Sequence, residues 1–241
     1  MKVSVIVPTL NEVGNIENIL NNIARERIDE LVVVDGYSQD GTIELVKRLG
    51  HRLILQEGKG LGKAIISGIK ATSGEVIVIV DADGSHDPKY IPALIDKINK
   101  GYDVVVGSRY ISGPEVKNLF FRNKYSSSYD DTFIRELGNR FFTYLCRKLY
   151  QLDIHDVLMG FKAFKRSILE KVVLNEEGQQ FDAEILIKAK KAGFRIGEIP
   201  VIEHKRSYGK SKLSVPYHGF KVLSVIMQEF SPWELQRRAN G

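Results

Sequence analysis

Val76-Ile77-Val78-Ile79-Val80-Asp81-Ala82-Asp83 is an unbroken apolar run followed by two carboxylates, and it indicates the class of fold. Five consecutive β-branched apolar residues are typical of a strand that is buried on both faces, as strands of parallel sheets are. Two carboxylates follow where this strand ends. Ligands bind at the carboxyl ends of strands in open α/β sheets, and an Asp-x-Asp turn with Ser85 nearby can hold a hard divalent cation. A solvated, Asp-rich turn is the alternative.

The same rhythm of strand and helix continues on both sides of this stretch. The pattern predicts strands at 3–7, 31–34, 52–55, 76–80 and 104–106, and helices at 15–24, 42–49, 62–71 and 89–100. Such alternation predicts an α/β domain with a parallel sheet. Residues 111–131 have no steady period and predict a long, mobile loop. Farther along, the sequence predicts helices at 133–149 and 183–192, a short segment at 160–164 and a strand at 196–201.

Composition narrows the class of protein and its location. The formal charge of +5 favours a polyanionic partner, which can be a nucleic acid, an anionic membrane or a phosphorylated small molecule. Cys146 is the single cysteine, so an internal disulfide and a cysteine-built zinc site are excluded. The sequence has neither a signal-peptide pattern at its start nor an apolar run of about 18 to 20 residues. We therefore expect a cytoplasmic or peripherally bound protein.

Two common phosphate-binding motifs do not fit the sequence. A Rossmann dehydrogenase needs Gly-x-Gly-x-x-Gly directly after its first strand, where this chain has Pro8-Thr9-Leu10-Asn11-Glu12. The glycine cluster at 58–62 is one residue short of a Walker loop, and Ala64 replaces the metal-binding Ser or Thr. This cluster can still let the backbone approach a ligand, with Lys63 near a phosphate. A tight turn into a helix is the alternative.

Seven motifs in order resemble those of family 2 glycosyltransferases, and the last three resemble its dolichol-phosphate mannosyltransferase-like branch. They lie at 4–12, 34–42, 60–64, 81–88, 107–110, 160–162 and 206–213. The resemblance implies a GT-A nucleotide-diphosphosugar transferase fold, with a Rossmann-like, mostly parallel central sheet and flanking helices. It implies a catalytic domain over 1–213. The C-terminal amphipathic helix and tail at 214–241 then either face a membrane or pack on the domain.

The resemblance also implies a donor site for a nucleotide sugar. Its expected residues are Pro8, Leu10, Glu12, Val34, Asp35, Gly36, Lys63 and Ala82. The family usually has two consecutive acids after the second strand, and the second of them reads the base. Here Gly36 follows Asp35, so we expect base contact from Asp35 or from the backbone. Leu10 also stands where an aromatic residue is common in this branch.

The catalytic residues implied by the resemblance are metal-binding oxygen ligands and positively charged side chains. Asp81, Asp83 and Ser85 are expected to hold Mg²⁺ or Mn²⁺, whose preferred ligands are oxygens. Phosphate oxygens are expected to bind to Arg109, Arg206 and Lys212. Two further acids, Asp156 and Glu184, match acids in the second half of the family; they either orient basic residues or transfer protons.

The implied reaction is inverting transfer of a sugar from a nucleotide diphosphate sugar, of the GDP-mannose, UDP-glucose or UDP-N-acetylglucosamine type, to a dolichyl or polyprenyl monophosphate. Phosphate monoesters have a second pKa near 6, so this acceptor needs no dedicated base at neutral pH. The enzyme is expected on the cytoplasmic face of a membrane, with the 111–131 loop closing over the acceptor. A family 2 enzyme acting on a saccharide or protein hydroxyl is the alternative. A nucleic-acid-binding domain is disfavoured because the two carboxylates would repel a phosphate backbone.

Overall fold

The computed structural model describes residues 1–111, 133–175, 177–204, 206, 208–209 and 215–230. In these residues, seven strands form one sheet that is flanked by seven α-helices. The strands are β1 (Val3–Thr9), β2 (Glu30–Asp35), β3 (Leu53–Leu55), β4 (Val76–Ile79), β5 (Val104–Ser108), β6 (Lys162–Lys165) and β7 (Ile196–Pro200). The helices are α1 (Ile16–Asn22), α2 (Thr42–Arg48), α3 (Leu61–Ala71), α4 (Ile91–Asn99), α5 (Phe133–Tyr150), α6 (Phe181–Lys191) and α7 (Val215–Gln228).

The sheet has the order β3-β2-β1-β4-β6-β5-β7. All neighbouring strands run parallel except at β6, which is antiparallel to both β4 and β5. The prediction of a mostly parallel sheet is therefore confirmed. The chain builds outward from β1 to β3 and then returns to the other side of β1 with β4. This reversal of direction is the position at which α/β sheets bind ligands.

Burial of apolar strands accounts for the core. Every residue of β1 and β4 is buried, as the unbroken apolar runs predict for strands covered on both faces. The helix α3 lies close against this sheet because Gly68 has no side chain. A Cβ atom at Gly68 would lie 2.5 Å from Cγ2 of Ile6, so any larger residue would force the helix away.

Two sequence-based predictions were less complete. The short segment predicted at 160–164 overlaps the strand β6 (Lys162–Lys165), which lies inside the sheet between β4 and β5. The loop predicted at 111–131 lies outside the described residues except for Ile111.

The C-terminal helix α7 packs on the rest of the domain. It contacts α5 and α6, and its residues Val222, Val225 and Ile226 are buried. The hydroxyl of Tyr150 in α5 donates a hydrogen bond to the carbonyl oxygen of Ile226. A domain boundary between 213 and 214 stays a prediction. Within the described part of the chain, no helix combines the length and the apolar character needed to cross a bilayer.

Candidate active site

A cleft of about 670 Å³ opens at the carboxyl ends of β1, β2, β3 and β4. Parallel strands bring the residues that follow them to one edge of the sheet, so positions far apart in sequence line the same cleft. The lining residues are Pro8, Thr9, Leu10, Glu12, Gly36, Tyr37, Gln56, Gly58, Lys59, Gly60, Leu61, Ala64, Asp81, Ala82, Asp83, Gly178, Gln179, Arg206 and His218.

The paired carboxylates lie directly after β4, in a tight turn. Gly84 has a φ of +80°, a left-handed conformation that glycine adopts without strain. The turn lets the backbone N–H and the hydroxyl of Ser85 donate hydrogen bonds to Oδ1 of Asp83, at 2.9 and 2.6 Å. The other carboxylate oxygen of Asp83 lies 2.7 Å from the guanidinium of Arg206. The predicted cluster of Asp81, Asp83, Ser85 and Arg206 therefore comes together.

The two carboxylates differ in their pKa values. Burial and the neighbouring charge of Asp83 raise the pKa of Asp81, and the cations of Arg206 and Lys162 offset this only in part. Burial also acts to raise the pKa of Asp83, but His86, Arg206 and the hydrogen bonds from Ser85 outweigh it and lower that pKa. The cations near Asp81 therefore do not fully offset its burial and the charge of Asp83. A bound metal cation would supply the missing positive charge.

Arg206 reaches Asp83 because the chain after β7 runs beside the turn after β4. The N–H of His204 donates to the carbonyl oxygen of Ser85 at 2.8 Å, and Glu203 forms an antiparallel bridge with His86. Farther on, the ring of Tyr208 lies against Gly14, where a Cβ atom would be 2.5 Å from it. Glu203, His204, Arg206 and Tyr208 therefore link the carboxylates to the loop between β1 and α1.

Arg109 occupies a buried network next to this edge. Its guanidinium donates two hydrogen bonds to Asp156, at 2.7 and 3.0 Å, and a third to Glu203 at 3.0 Å. Burial acts to lower the pKa of Arg109, but the two acids outweigh it and raise the pKa well above its ordinary value. Asn139 also donates to Asp156, at 2.8 Å. The geometry matches an acid that orients a basic residue; phosphate binding by Arg109 stays a prediction.

The predicted donor residues divide into three sets. Those that line the cleft are Pro8, Leu10, Glu12, Gly36 and Ala82. Val34 and Asp35 are fully buried beneath it, and the carboxylate of Asp35 accepts hydrogen bonds from Ser38 at 2.7 and 2.6 Å. Lys63 pairs with Glu177 at 3.4 Å.

Of two further predicted residues, Glu184 lies away from the paired carboxylates and Lys212 is not among the described residues. Glu184 pairs with Lys188 on the same helix, at 2.6 Å. Lys212 falls outside the described residues, so its predicted role in phosphate binding stays a prediction.

Several residues of the cleft were not among the predicted site residues, and Tyr37, Gln56, Gln179 and His218 are four of them. Tyr37 lies two residues after β2 and Gln56 follows β3 directly, so the rule that ligands bind at strand ends could have found them. Gln179 precedes α6, and His218 lies in α7. No local pattern marks these last two residues, because packing of distant helices brings them to the cleft.

The fold and the cleft define an α/β domain of the GT-A type, with an acidic pair at the switch point of its sheet. Comparison with known proteins agrees, since residues 4–173 match glycosyl transferase family 2. The chain belongs to this family and is a glycosyltransferase.

Among curated relatives, the chain is 37% identical to a dolichol-phosphate mannosyltransferase of Pyrococcus furiosus, over 88% of this chain and 59% of that protein. It therefore spans less than two thirds of that relative. It is 33% identical to a dolichyl-phosphate hexose transferase of Haloferax volcanii, over 90% of this chain and 88% of that protein.

Among solved structures, the chain resembles glucosyl-3-phosphoglycerate synthase of Mycobacterium tuberculosis. The TM-score is 0.73 at 21% identity, and the match covers 95% of this chain and 78% of the other. That structure contains Mn²⁺, UDP and phosphoglyceric acid. At this level of identity the similarity shows the shared GT-A fold.

Proposed function

We propose that the chain transfers a sugar, with inversion, from a nucleotide diphosphate sugar to a dolichyl or polyprenyl monophosphate. The relatives named as dolichol-phosphate and dolichyl-phosphate transferases support this acceptor. The donor is expected to be of the GDP-mannose, UDP-glucose or UDP-N-acetylglucosamine type. The observation that carries the proposal is the pair Asp81 and Asp83, which faces Arg206 at the end of a cleft large enough for a nucleotide sugar.

The site residues fit a divalent metal that the donor helps to bind. No cluster of three or more His, Cys, Asp or Glu side chains suited to a metal occurs among the described residues. Mg²⁺ commonly binds one or two carboxylates together with substrate phosphates, and Asp81 and Asp83 with the hydroxyl of Ser85 supply such oxygens. A fold neighbour binds Mg²⁺ with UDP, and another binds Mn²⁺ with UDP. The metal would neutralise the charge that develops on the leaving diphosphate.

The chain's own cations serve the same leaving group in this proposal. Arg206 lies at the carboxylate end of the cleft, from which a planar guanidinium can bind two phosphate oxygens at once. Lys212 and Arg109 are proposed to bind phosphate oxygens of the donor or acceptor. Stabilising a developing negative charge with fixed cations is the largest catalytic contribution expected here.

The acceptor is tested by comparing a short-chain polyprenyl monophosphate with the matching polyprenol. We expect transfer to the phosphate and none above background to the alcohol, because a phosphate monoester is already deprotonated at neutral pH whereas an alcohol needs a base. Labelled GDP-mannose, UDP-glucose and UDP-N-acetylglucosamine would each be supplied with Mn²⁺, and sugar would be counted in the organic phase. Equal transfer to the alcohol would support the hydroxyl-acceptor alternative instead.

Peripheral binding to an anionic membrane surface is a second part of the proposal, because the lipid acceptor lies in a bilayer. Exposed apolar residues of α5 recur at helical spacing on one stripe, namely Ile134, Leu137, Phe141 and Tyr144. Basic residues accompany the stripe at Arg135, Arg140, Arg147 and Lys148. The neighbouring helix α7 exposes Tyr217 and Phe220. This combination suits the interface of an anionic membrane, which for this enzyme is the cytoplasmic face.

The membrane surface is tested with the variant Leu137→Glu/Phe141→Glu. Binding to vesicles that contain phosphatidylglycerol should weaken by about 10²-fold or more, because two large side chains no longer enter the interface and two acids oppose the lipid charge. Val173→Glu is the matched control, since Val173 is exposed but lies outside both helices. Vesicle co-sedimentation measures the difference. Unchanged binding of the double variant would remove α5 from the proposal.

A further inference from the structure

Gln56 presents a hydrogen-bond acceptor to the cleft at the end of β3. Its backbone N–H donates to the carbonyl oxygen of Asp35 at 3.0 Å, which places Gln56 beside the end of β2. Its side-chain Nε2 donates to the carbonyl oxygen of Gly58 at 2.8 Å. Only the nitrogen of an amide can donate, so this bond fixes which atom is the oxygen. Oε1 is left as the acceptor and has no donor among the described residues.

Gly36 keeps this acceptor accessible. A Cβ atom at residue 36 would lie 3.1 Å from Oε1 of Gln56 and 3.4 Å from Cδ1 of Leu10. Any side chain at residue 36 would therefore compete with a ligand for Oε1. Since Gly36, Leu10 and Gln56 all line the cleft, the amide oxygen faces the space in which a ligand binds.

Tyr37 forms an aromatic wall next to this oxygen. Its hydroxyl donates to the backbone carbonyl oxygen of Gln56 at 3.2 Å, and its side chain is largely exposed. Its φ of +68° is left-handed, a strained conformation for residues other than glycine that recurs at functional sites. The bonds from Ser38 to Asp35 hold the turn in which Tyr37 lies. A flat ligand can stack on such a ring.

The position of Gln56 in the sheet matches the base of a nucleotide. β3 is three strands away from β4 in the sheet, which separates Gln56 from the carboxylates by about 14 Å at the usual spacing of strands. A diphosphate beside Asp81 and Asp83 would therefore direct its ribose across the ends of β1 and β2, and its base toward Tyr37 and Gln56.

We propose that Oε1 of Gln56 selects the nucleobase of the donor by accepting a hydrogen bond from a ring N–H. Uracil and guanine present such an N–H, whereas the corresponding ring nitrogen of cytosine or adenine is itself an acceptor and would face the lone pairs of Oε1. Tyr37 stacks on the same base. This inference rests on the proposed nucleotide-sugar donor and names the base edge that the donor must carry.

The test compares nucleoside diphosphates that differ only in this edge. Calorimetry with Mn²⁺ would measure the affinities of UDP, CDP, GDP, ADP and inorganic pyrophosphate. The wild-type protein should bind UDP over CDP, or GDP over ADP, by about 10- to 100-fold, because the wrong base leaves a desolvated acceptor without a donor. Whichever of the two pairs shows this preference identifies the base. Gln56→Met should reduce the preference to about one while leaving the affinity for pyrophosphate unchanged.

Two further variants make the outcome specific. Gln56→Glu keeps an oxygen acceptor and should retain a preference, and Glu57→Gln should behave as wild type, since Glu57 instead pairs with Lys70 at 2.7 Å. Retained affinity for pyrophosphate shows that each variant is folded. The inference about Gln56 would be overturned if the base preference survived in Gln56→Met, or if the wild type preferred CDP or ADP. Either result would leave the proposed nucleotide-sugar donor intact. A wild type that binds no nucleoside diphosphate would overturn both it and the proposed donor.

Discussion

Replacing Asp83 with alanine is expected to reduce kcat/KM for sugar transfer by about 10²–10³-fold, the loss typical of removing one fixed electrostatic partner from an active site. The variant removes an oxygen ligand of the proposed metal and leaves Arg206 without the carboxylate that lies 2.7 Å from it. Transfer kinetics would be measured together with the binding of Mn²⁺ to the protein, followed by the electron paramagnetic resonance signal of free Mn²⁺. Weaker Mn²⁺ binding should accompany the loss of transfer.

Asp83→Asn tests whether the negative charge of Asp83 matters separately from the structure of the turn. The amide oxygen can still accept the hydrogen bonds that Ser85 donates, so the turn after β4 is retained while the negative charge is lost. Asp87→Ala is the matched control on the same loop, because its carboxylate caps the turn at 88–90 and is not part of the cleft lining. Near-normal turnover in Asp83→Ala, with Mn²⁺ present or chelated, would show that the acidic pair does not serve the donor.

The sequence predicted the strands well because their signal is local. Residues 76–80 and 104–106 are unbroken apolar runs, and buried parallel strands require such runs whatever surrounds them. The acidic pair was predictable for the same reason, since a strand end determines where the next residues lie. Gln56 follows the equally predictable strand β3 and could have been assigned to the cleft by the same rule.

Contacts between residues that are far apart in the chain could not be predicted from local sequence patterns. The guanidinium of Arg109 binds Asp156 and Glu203, which are 47 and 94 residues away, and no local pattern indicates these two contacts. The strand β6 begins with Lys162. Charged residues are seldom buried in a sheet without a partner, and the sequence does not indicate that Asp182 is the partner of Lys162. Such contacts depend on which elements meet in three dimensions, and a single sequence does not encode that in any one segment.

Lys162→Met is expected to lower the free energy of unfolding by about 3–5 kcal/mol, because it leaves a buried carboxylate without its cation. Lys162 is fully buried, and its Nζ lies 2.6 Å from Oδ1 of Asp182, whose other oxygen has no hydrogen-bond partner in the part of the chain that the structure describes. Chemical denaturation would measure the change. Lys165→Met is the matched control: it lies on the same strand, and its pair with Asp103 is partly exposed, so the expected cost is below about 1 kcal/mol.

The pH dependence of this loss follows from Asp182. Burial raises the pKa of Asp182 to about 6, although Lys162 acts to lower it. A carboxyl whose pKa is raised by folding stabilises the protein most at low pH, and this contribution is lost as the pH rises through the folded-state value. Removing Lys162 takes away a cation and moves that pKa higher still. The destabilisation by Lys162→Met should therefore be smaller at pH 5 than at pH 8, and an equal loss at both pH values would contradict a role for the Asp182 charge.

Lys162→Met/Asp182→Leu should then recover most of the lost stability, because two apolar residues of similar volume can replace a buried ion pair. Activity is expected to behave differently. The cation of Lys162 also acts to lower the pKa of Asp81, and the charge of Asp182 interacts with that of Asp81, so the double variant changes the charges around the acidic pair even where stability is restored. Stability restored without restored transfer would show that the buried pair serves the active site as well as the fold. Recovery of both would limit Lys162 to a structural role.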